Sequence, residues 1–379
     1  MENLKICSRC IQPNTRPGVF FDDKSVCGAC LWEDEKKIID WDTRKKELDT
    51  IVNNAKRSNA IYDCVIGVSG GKDSTIQAIT ARDKLGLKCL LVNYQPENIT
   101  DLGRKNLENL KSLGFNLISI RPNPKIMTKL TKYDFFNHLN FVKASEFPLY
   151  ASTYIIAEKF KIPLIIQGEN PGLTMGTSLT GVGKDSDALK AYQLQTLSKG
   201  IQEYLNIDGI SENDLYFFHY DVKKLLDLNV KGIWLQYYLK EWSSTGNYEF
   251  SKKYGFQGRQ DVNPAEIGTY VSFNACDSDF VHVNQMLKFI KFGFGQCMDH
   301  VCYDLRDHLM DRKKAIELVL KYDGKCTDHY IDKFCNYIQI SRNEFYATIE
   351  KFRGNIWYKK DGIWINKLHE RLEKELDSL

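Results

Sequence analysis

Nowhere in the chain do about 18 or more apolar residues follow one another, so no segment is long enough to cross a bilayer as a helix. The opening stretch, MENLKICSRC, lacks the apolar run of a secretory signal, and a cytoplasmic location is expected. Charge of one sign is not in excess either: 52 Lys and Arg stand against 49 Asp and Glu, a net +3. That balance gives no electrostatic footprint for nucleic acid, and neither a nucleic-acid nor a membrane partner is expected. Low-complexity tracts are missing, and twenty tyrosines with twenty phenylalanines argue against long disordered stretches. The Walker phosphate loop, G-x-x-x-x-G-K-[ST], is also missing. Started at Gly67, it would need a glycine where Lys72 stands, and Lys72 is followed by Asp73.

What is present is more specific. The 379 residues can bury a sizeable core in two or three domains. Eleven cysteines without a secretory signal read as thiols and metal ligands rather than disulfides. Four of them, Cys7, Cys10, Cys27 and Cys30, form C-x2-C-x16-C-x2-C, inside the spacing window of a four-thiolate zinc site. Each pair can turn a knuckle that points two sulfurs at one tetrahedral ion, and four thiolates leave no open position, so the zinc is structural. The ribbon is placed at 1–33. A charged helical segment, 34–57, follows as a connection, with Ile38, Ile39, Trp41, Leu48 and Ile51 facing inward.

Residues 58–255 alternate strand and helix signals. CVIGVS, LKCLLVNY, NLISIRP, IPLIIQGENPG and KGIWLQYY read as strands, with helices between them and Thr100 or Asp101 capping one. This pattern predicts an α/β fold with a doubly wound parallel sheet and ligands at the carboxyl ends of its strands. Residues 256–379 read as a mainly helical C-terminal region.

The loop SGGKDS, Ser69 to Ser74, follows the first strand. Gly70 and Gly71 let the backbone approach a phosphate, and the next helix aims its amides at the anion. Ser69 and Ser74 add hydroxyls and Lys72 a positive charge. Asp73 would repel phosphate unless a magnesium ion lay between them.

The string resembles the PP-loop of the ATP pyrophosphatase superfamily, whose members cleave ATP between the α and β phosphates and transfer AMP to a substrate oxygen. The four-cysteine start, SGGKDST, QGENPG, GRQDVNPAEIGTY and KFGFGQCMDHVCYDLRDHLMDR through LVLKYDGK together resemble the N-acetyl sugar amidotransferases. The resemblance implies a PP-loop domain of HUP-like type over 58–255. It implies conversion of the acetamido group of a bacterial surface-sugar precursor to acetamidino, with ATP and magnesium. Ser69, Gly70, Gly71, Lys72, Asp73 and Ser74 would cradle pyrophosphate and magnesium. Gly168, Glu169 and Asn170 would face nucleotide and activated substrate, with Lys72, Asp73, Glu169 and Asn170 carrying the chemistry. Val92, Asn93 and Tyr94 fall where adenine is expected, and Lys291, Asp299 and Arg306 could close over phosphate or a sugar carboxylate.

The amidine nitrogen needs a source. Glu2 follows Met1 and no G-x-C-x-G elbow occurs, while Cys276 and Cys297 read as buried structural thiols. The chain therefore reads as lacking its own glutaminase, and the resemblance implies a separate glutaminase subunit as partner, beside the N-acetylated sugar. The rival reading is a PP-loop tRNA-modifying enzyme that adenylates a base carbonyl.

Overall fold

The computed structural model describes residues 4–176, 184–194, 196–260 and 262–379. Met1 and Glu2, and Asp261 of the GRQDVNPAEIGTY block, lie outside them.

Five strands build one parallel sheet: β1 (Cys64–Gly67), β2 (Cys89–Tyr94), β3 (Asn116–Ile120), β4 (Leu164–Gln167) and β5 (Lys231–Trp234), in the order β3-β2-β1-β4-β5. Cys64 pairs with Cys89 on one side and Leu164 on the other, so β1 is central. β1, β2 and β4 are short apolar runs because helices cover both faces of the sheet. Val65, Leu90 and Val92 point into one core with α5 (Pro124–His138) and α6 (Lys143–Phe160). Cys64, Ile66 and Leu91 alternate to the opposite core. There they meet α2 (Trp41–Arg57), α3 (Lys72–Ile79) and α4 (Asp101–Ser112). The expected cap of α4 is Thr100, whose hydroxyl accepts from the Gly103 amide at 2.9 Å.

The strand order reverses at β1. β2 and β3 continue to one side, β4 and β5 to the other, so the crevice outside the carboxyl ends of β1 and β4 is the topological switch point. SGGKDS and Gly168–Asn170 are the segments that leave those two ends.

The connection after the cysteines is two helices rather than one. α1 (Gly28–Ile38) starts inside the ribbon and carries Cys30, and Asp40 then caps α2 through the Thr43 amide. Ile38 ends α1 pointing outward, 86% exposed, contrary to the inward face expected of it. The C-terminal region is helical except for an antiparallel hairpin, β6 (Trp357–Lys360) with β7 (Ile363–Asn366). Ribbon and C-terminal region share one core. Ile6, Ile11 and the four cysteines pack with Phe294, Met298, Val301, Ile316, Leu368 and Leu372. The last fifty residues thus include the helix (Lys367–Leu376) that packs in the same core as the four cysteines. Among the described residues no helix is long and apolar enough to cross a membrane.

Candidate active site

The backbone beyond β1 is held before it turns. The Val68 amide donates to the Val92 carbonyl at 2.8 Å, and the Asn93 side chain donates to the Val68 carbonyl, also at 2.8 Å. Asn93 is 1% exposed, so it serves the loop from beneath rather than reaching into solvent. Gly70 then takes φ +80°, and a Cβ there would lie 3.2 Å from Leu107 of α4. Both observations select glycine. Gly70→Ala is expected to cost about 1–3 kcal/mol of stability, read by urea denaturation, and to slow turnover through a displaced loop. An unchanged midpoint would refute this.

The first turn of α3 closes the loop. The Ser74 and Thr75 hydroxyls both donate to the Gly71 carbonyl at 3.0 Å, so Ser74, expected as a phosphate donor, is bonded within the turn. The Lys72 Nζ is buried against the Asp73 carboxylate at 2.5 Å. Asn247 donates to the other Asp73 oxygen at 2.8 Å, and Ser251 donates to the Lys72 carbonyl at 2.7 Å. Asn247 and Ser251 belong to the helix Ser244–Lys252, and no pattern in the sequence marks them. In front of the loop is a cavity of about 120 Å³ lined by Ser69–Asp73, Gly103, Asn106 and residues 273–277. The remote segment is tied in place by backbone, since the Thr100 amide donates to the Asp277 carbonyl at 3.0 Å. Asp73 presents its carboxylate beside this cavity, which fits a magnesium ligand; the ion's chemistry there would be to neutralise phosphate charge.

From β4 the chain brings Glu169 toward the same centre. Burial, followed by the charge of Asp73, pushes its carboxyl up to about 7, against the opposing pull of Lys72 and Trp242. Its neighbours in sequence do other work. A Cβ on Gly168 would sit 2.2 Å from Gln77 of α3, so this glycine provides a close approach between elements. Asn170 is fully buried. Its Oδ1 accepts from the Gly172 amide at 2.8 Å and its Nδ2 donates to the Asp185 carbonyl at 3.0 Å. Its backbone amide donates to Gln236 at 2.9 Å. Asn170 thus caps the short helical turn that follows Glu169.

Val92 and Tyr94 end β2 as expected. Val92 is buried under the loop, whereas Tyr94 borders a second cavity of about 300 Å³ with Phe141, Phe280 and Tyr337. Asp277 lines both this cavity and the one at the loop. Lys291 does not reach the loop. Its Nζ donates to the His138 carbonyl at 2.7 Å and lies over the Phe292 ring. Asp299 is occupied as well. Burial works to raise its carboxyl, but Arg16 and Lys288 outweigh that and hold it at about 2. Arg306 borders the Glu169 cavity while donating to the Thr174 carbonyl at 3.4 Å and to the Cys10 sulfur at 3.5 Å.

The four cysteines are buried, and their sulfurs all lie within 4.8 Å of one another. Cys7 and Cys30 are 3.8 Å apart, Cys10 and Cys27 3.4 Å. Zinc–sulfur bonds of about 2.3 Å in a tetrahedron give edges of about 3.8 Å, so the set fits zinc. The Arg9 and Cys27 amides donate to Cys7 Sγ at 3.4 and 3.3 Å, and Arg306 adds positive charge beside Cys10. These are the contacts a thiolate cluster requires. Cys276 and Cys297 are buried, and burial raises the pKa of both, as expected of structural thiols. The conspicuous DG of LVLKYDGK is also structural. Asp323 accepts from the Gly295 and Met298 amides, capping the helix Gln296–Arg306.

Comparison with known proteins adds three findings. Residues 267–372 match the C-terminal domain of the WbpG-like LPS biosynthesis proteins. An uncharacterized protein of Methanocaldococcus jannaschii is 31% identical over 87 residues, 23% of this chain and 31% of that protein, so the match spans about a third of the relative. Among solved structures, NMN synthetase from Francisella tularensis aligns over 59% of this chain and 99% of that one, at 16% identity and a TM-score of 0.29. The WbpG-like match overlaps the C-terminal blocks on which the resemblance rests, and the loop and cysteine cluster it quoted are both formed.

Proposed function

We propose that this chain is an ATP-dependent sugar-modifying enzyme of surface-polysaccharide biosynthesis that converts an acetamido group to an acetamidino group. The observation that carries the reading is the wall of the loop cavity. Residues 273–277, which face SGGKDS, lie inside the segment that matches the WbpG-like domain, so phosphate loop and sugar-pathway domain bound one site.

The chemistry follows from the groups available. A neutral amide carbonyl does not exchange oxygen for nitrogen at neutral pH, because its oxygen is a poor leaving group. Attack of that oxygen on the α phosphate of ATP forms a C–O–P linkage and releases pyrophosphate. Lys72, the Gly70–Gly71 backbone and the start of α3 offset the charge that departs. Ammonia then forms the new C–N bond, and AMP leaves with the electron pair of the C–O bond. Oxygen is thus replaced by an imino group. Ammonia comes from a glutaminase partner, since the buried Cys276 and Cys297 offer no nucleophile.

Glu169 takes the proton that ammonium must lose. With its carboxyl near 7, the base form grows as pH rises to that value and is complete above it. Expressed per total ammonium, kcat/KM is expected to rise with pH and level off above about 7. In Glu169→Gln it is expected to be lower and to keep climbing tenfold per pH unit with the free ammonia fraction. Identical profiles in the two proteins would remove Glu169 from this role.

The test of the function itself is a mass-spectrometric assay with ATP, magnesium, ammonium and a panel of N-acetylated bacterial sugars. A sugar lighter by the difference between oxygen and an imino group, formed with equimolar AMP and pyrophosphate, is the expected product. AMP release on bulk tRNA, with every sugar unaltered, would overturn the proposal in favour of base modification.

A further inference from the structure

Two cavities, distinct from the one in front of the loop, share a wall near Glu169. One, of about 40 Å³, is bordered by Glu169, Trp32, Tyr303 and Arg306. The other, of about 770 Å³, lies between α1, the far end of α3 and the helix Ser244–Lys252, and its rim carries the exposed Lys240, Glu241 and Glu249. Five residues line both: Lys36, Leu239, Trp242, Ser243 and Asp307. The walls therefore run continuously from an exposed rim to a carboxylate that senses Asp73 of the phosphate loop. The loop's own cavity opens elsewhere, against residues 273–277 and, through Asp277, toward Tyr94.

We infer that this second path is the access route of the nitrogen nucleophile, separate from the side on which nucleotide and sugar bind. The inference rests on the amidine reading above. Size is the first argument. The inner cavity holds about one molecule the size of water, which ammonia matches and neither a sugar nor a nucleotide does. Charge is the second. Asp307 and Glu169 present carboxylates there, while Lys36 and Glu33 are paired with each other at 2.6 Å and Arg306 is engaged by Thr174 and Cys10. The rings of Trp32, Trp242 and Tyr303 add faces that attract a small cation. Ammonium enters, passes one proton to the Glu169 carboxylate, and as ammonia uses the freed lone pair to form the C–N bond while AMP leaves.

The test narrows and widens the path at residues that line its walls but not the loop cavity. Leu239→Trp fills the neck, Ser244→Trp fills the inner cavity, and Leu239→Ala opens the neck. In the full-length protein, thermal melts establish which variants fold. The expected result is a rise of about tenfold or more in KM for ammonium chloride in the Trp variants, with KM for ATP and for the sugar within twofold of wild type. In Leu239→Ala, methylamine should become a better nucleophile relative to ammonium. Folded Trp variants with wild-type KM for ammonium, or an equal rise in KM for ATP, would overturn the route. So would an unaltered methylamine preference in Leu239→Ala. These failures are distinct from failure of the function: if wild-type protein makes no amidine from any sugar, the reading beneath the route is itself lost.

Discussion

Lys72→Met is expected to lower the rate of pyrophosphate release by about two to three orders of magnitude, with little change in melting temperature. Methionine keeps the length of the side chain, so the substitution removes a charge more than a shape. That charge has few alternatives. Lys72 Nζ is buried, 2.5 Å from Asp73 and 5.8 Å from the Phe273 ring, at the mouth of the loop cavity. Arg306 and Lys291 are bonded to Thr174, Cys10 and His138 instead. Asp73 keeps its Asn247 partner in the variant, which is why the fold should persist. Pyrophosphate release, measured by a coupled assay at saturating ATP and sugar, tests this. A loss below fivefold would mean that the loop backbone alone bears the phosphate charge.

Much of this arrangement is legible in the sequence because it is local. Strand runs, the Thr100 cap and the two C-x2-C knuckles each depend on residues within a few positions of one another. SGGKDS is legible for the same reason, since loop, glycine conformation and helix start are contiguous. The residues that complete the site are not. Asn247, Ser251 and 273–277 reach the loop only through tertiary folding, and nothing in their own spacing marks them. The same physics reassigns Gly168 and Asn170. Both stand in a motif that points to chemistry, yet one makes room for Gln77 and the other caps a turn. Ile38 fails differently: α1 ends at it, and the chain turns before a second helix starts.

Removal of the zinc is the second large effect expected. Cys10→Ser, or prolonged chelation, should abolish bound zinc and lower the melting temperature by on the order of 10 °C. The reason is shared packing. The ribbon's hydrophobic residues join Phe294, Met298, Val301 and Leu368 in one core, so a ribbon that loosens uncovers the C-terminal region with it. A consequence for activity should follow, because Arg306 spans the two sites. It bonds to Cys10 Sγ, to the Thr174 carbonyl after Glu169, and lines the Glu169 cavity. Without the thiolates that guanidinium is free to pair with Glu169, which would hold the carboxyl below its present value and weaken it as a base. The zinc-free protein should therefore lose ammonium-dependent turnover more steeply than pyrophosphate release. Metal analysis, calorimetry and the two rates on one preparation check this together. Equal loss of both rates would show that zinc supports the fold alone, and an unchanged melting temperature without zinc would remove even that.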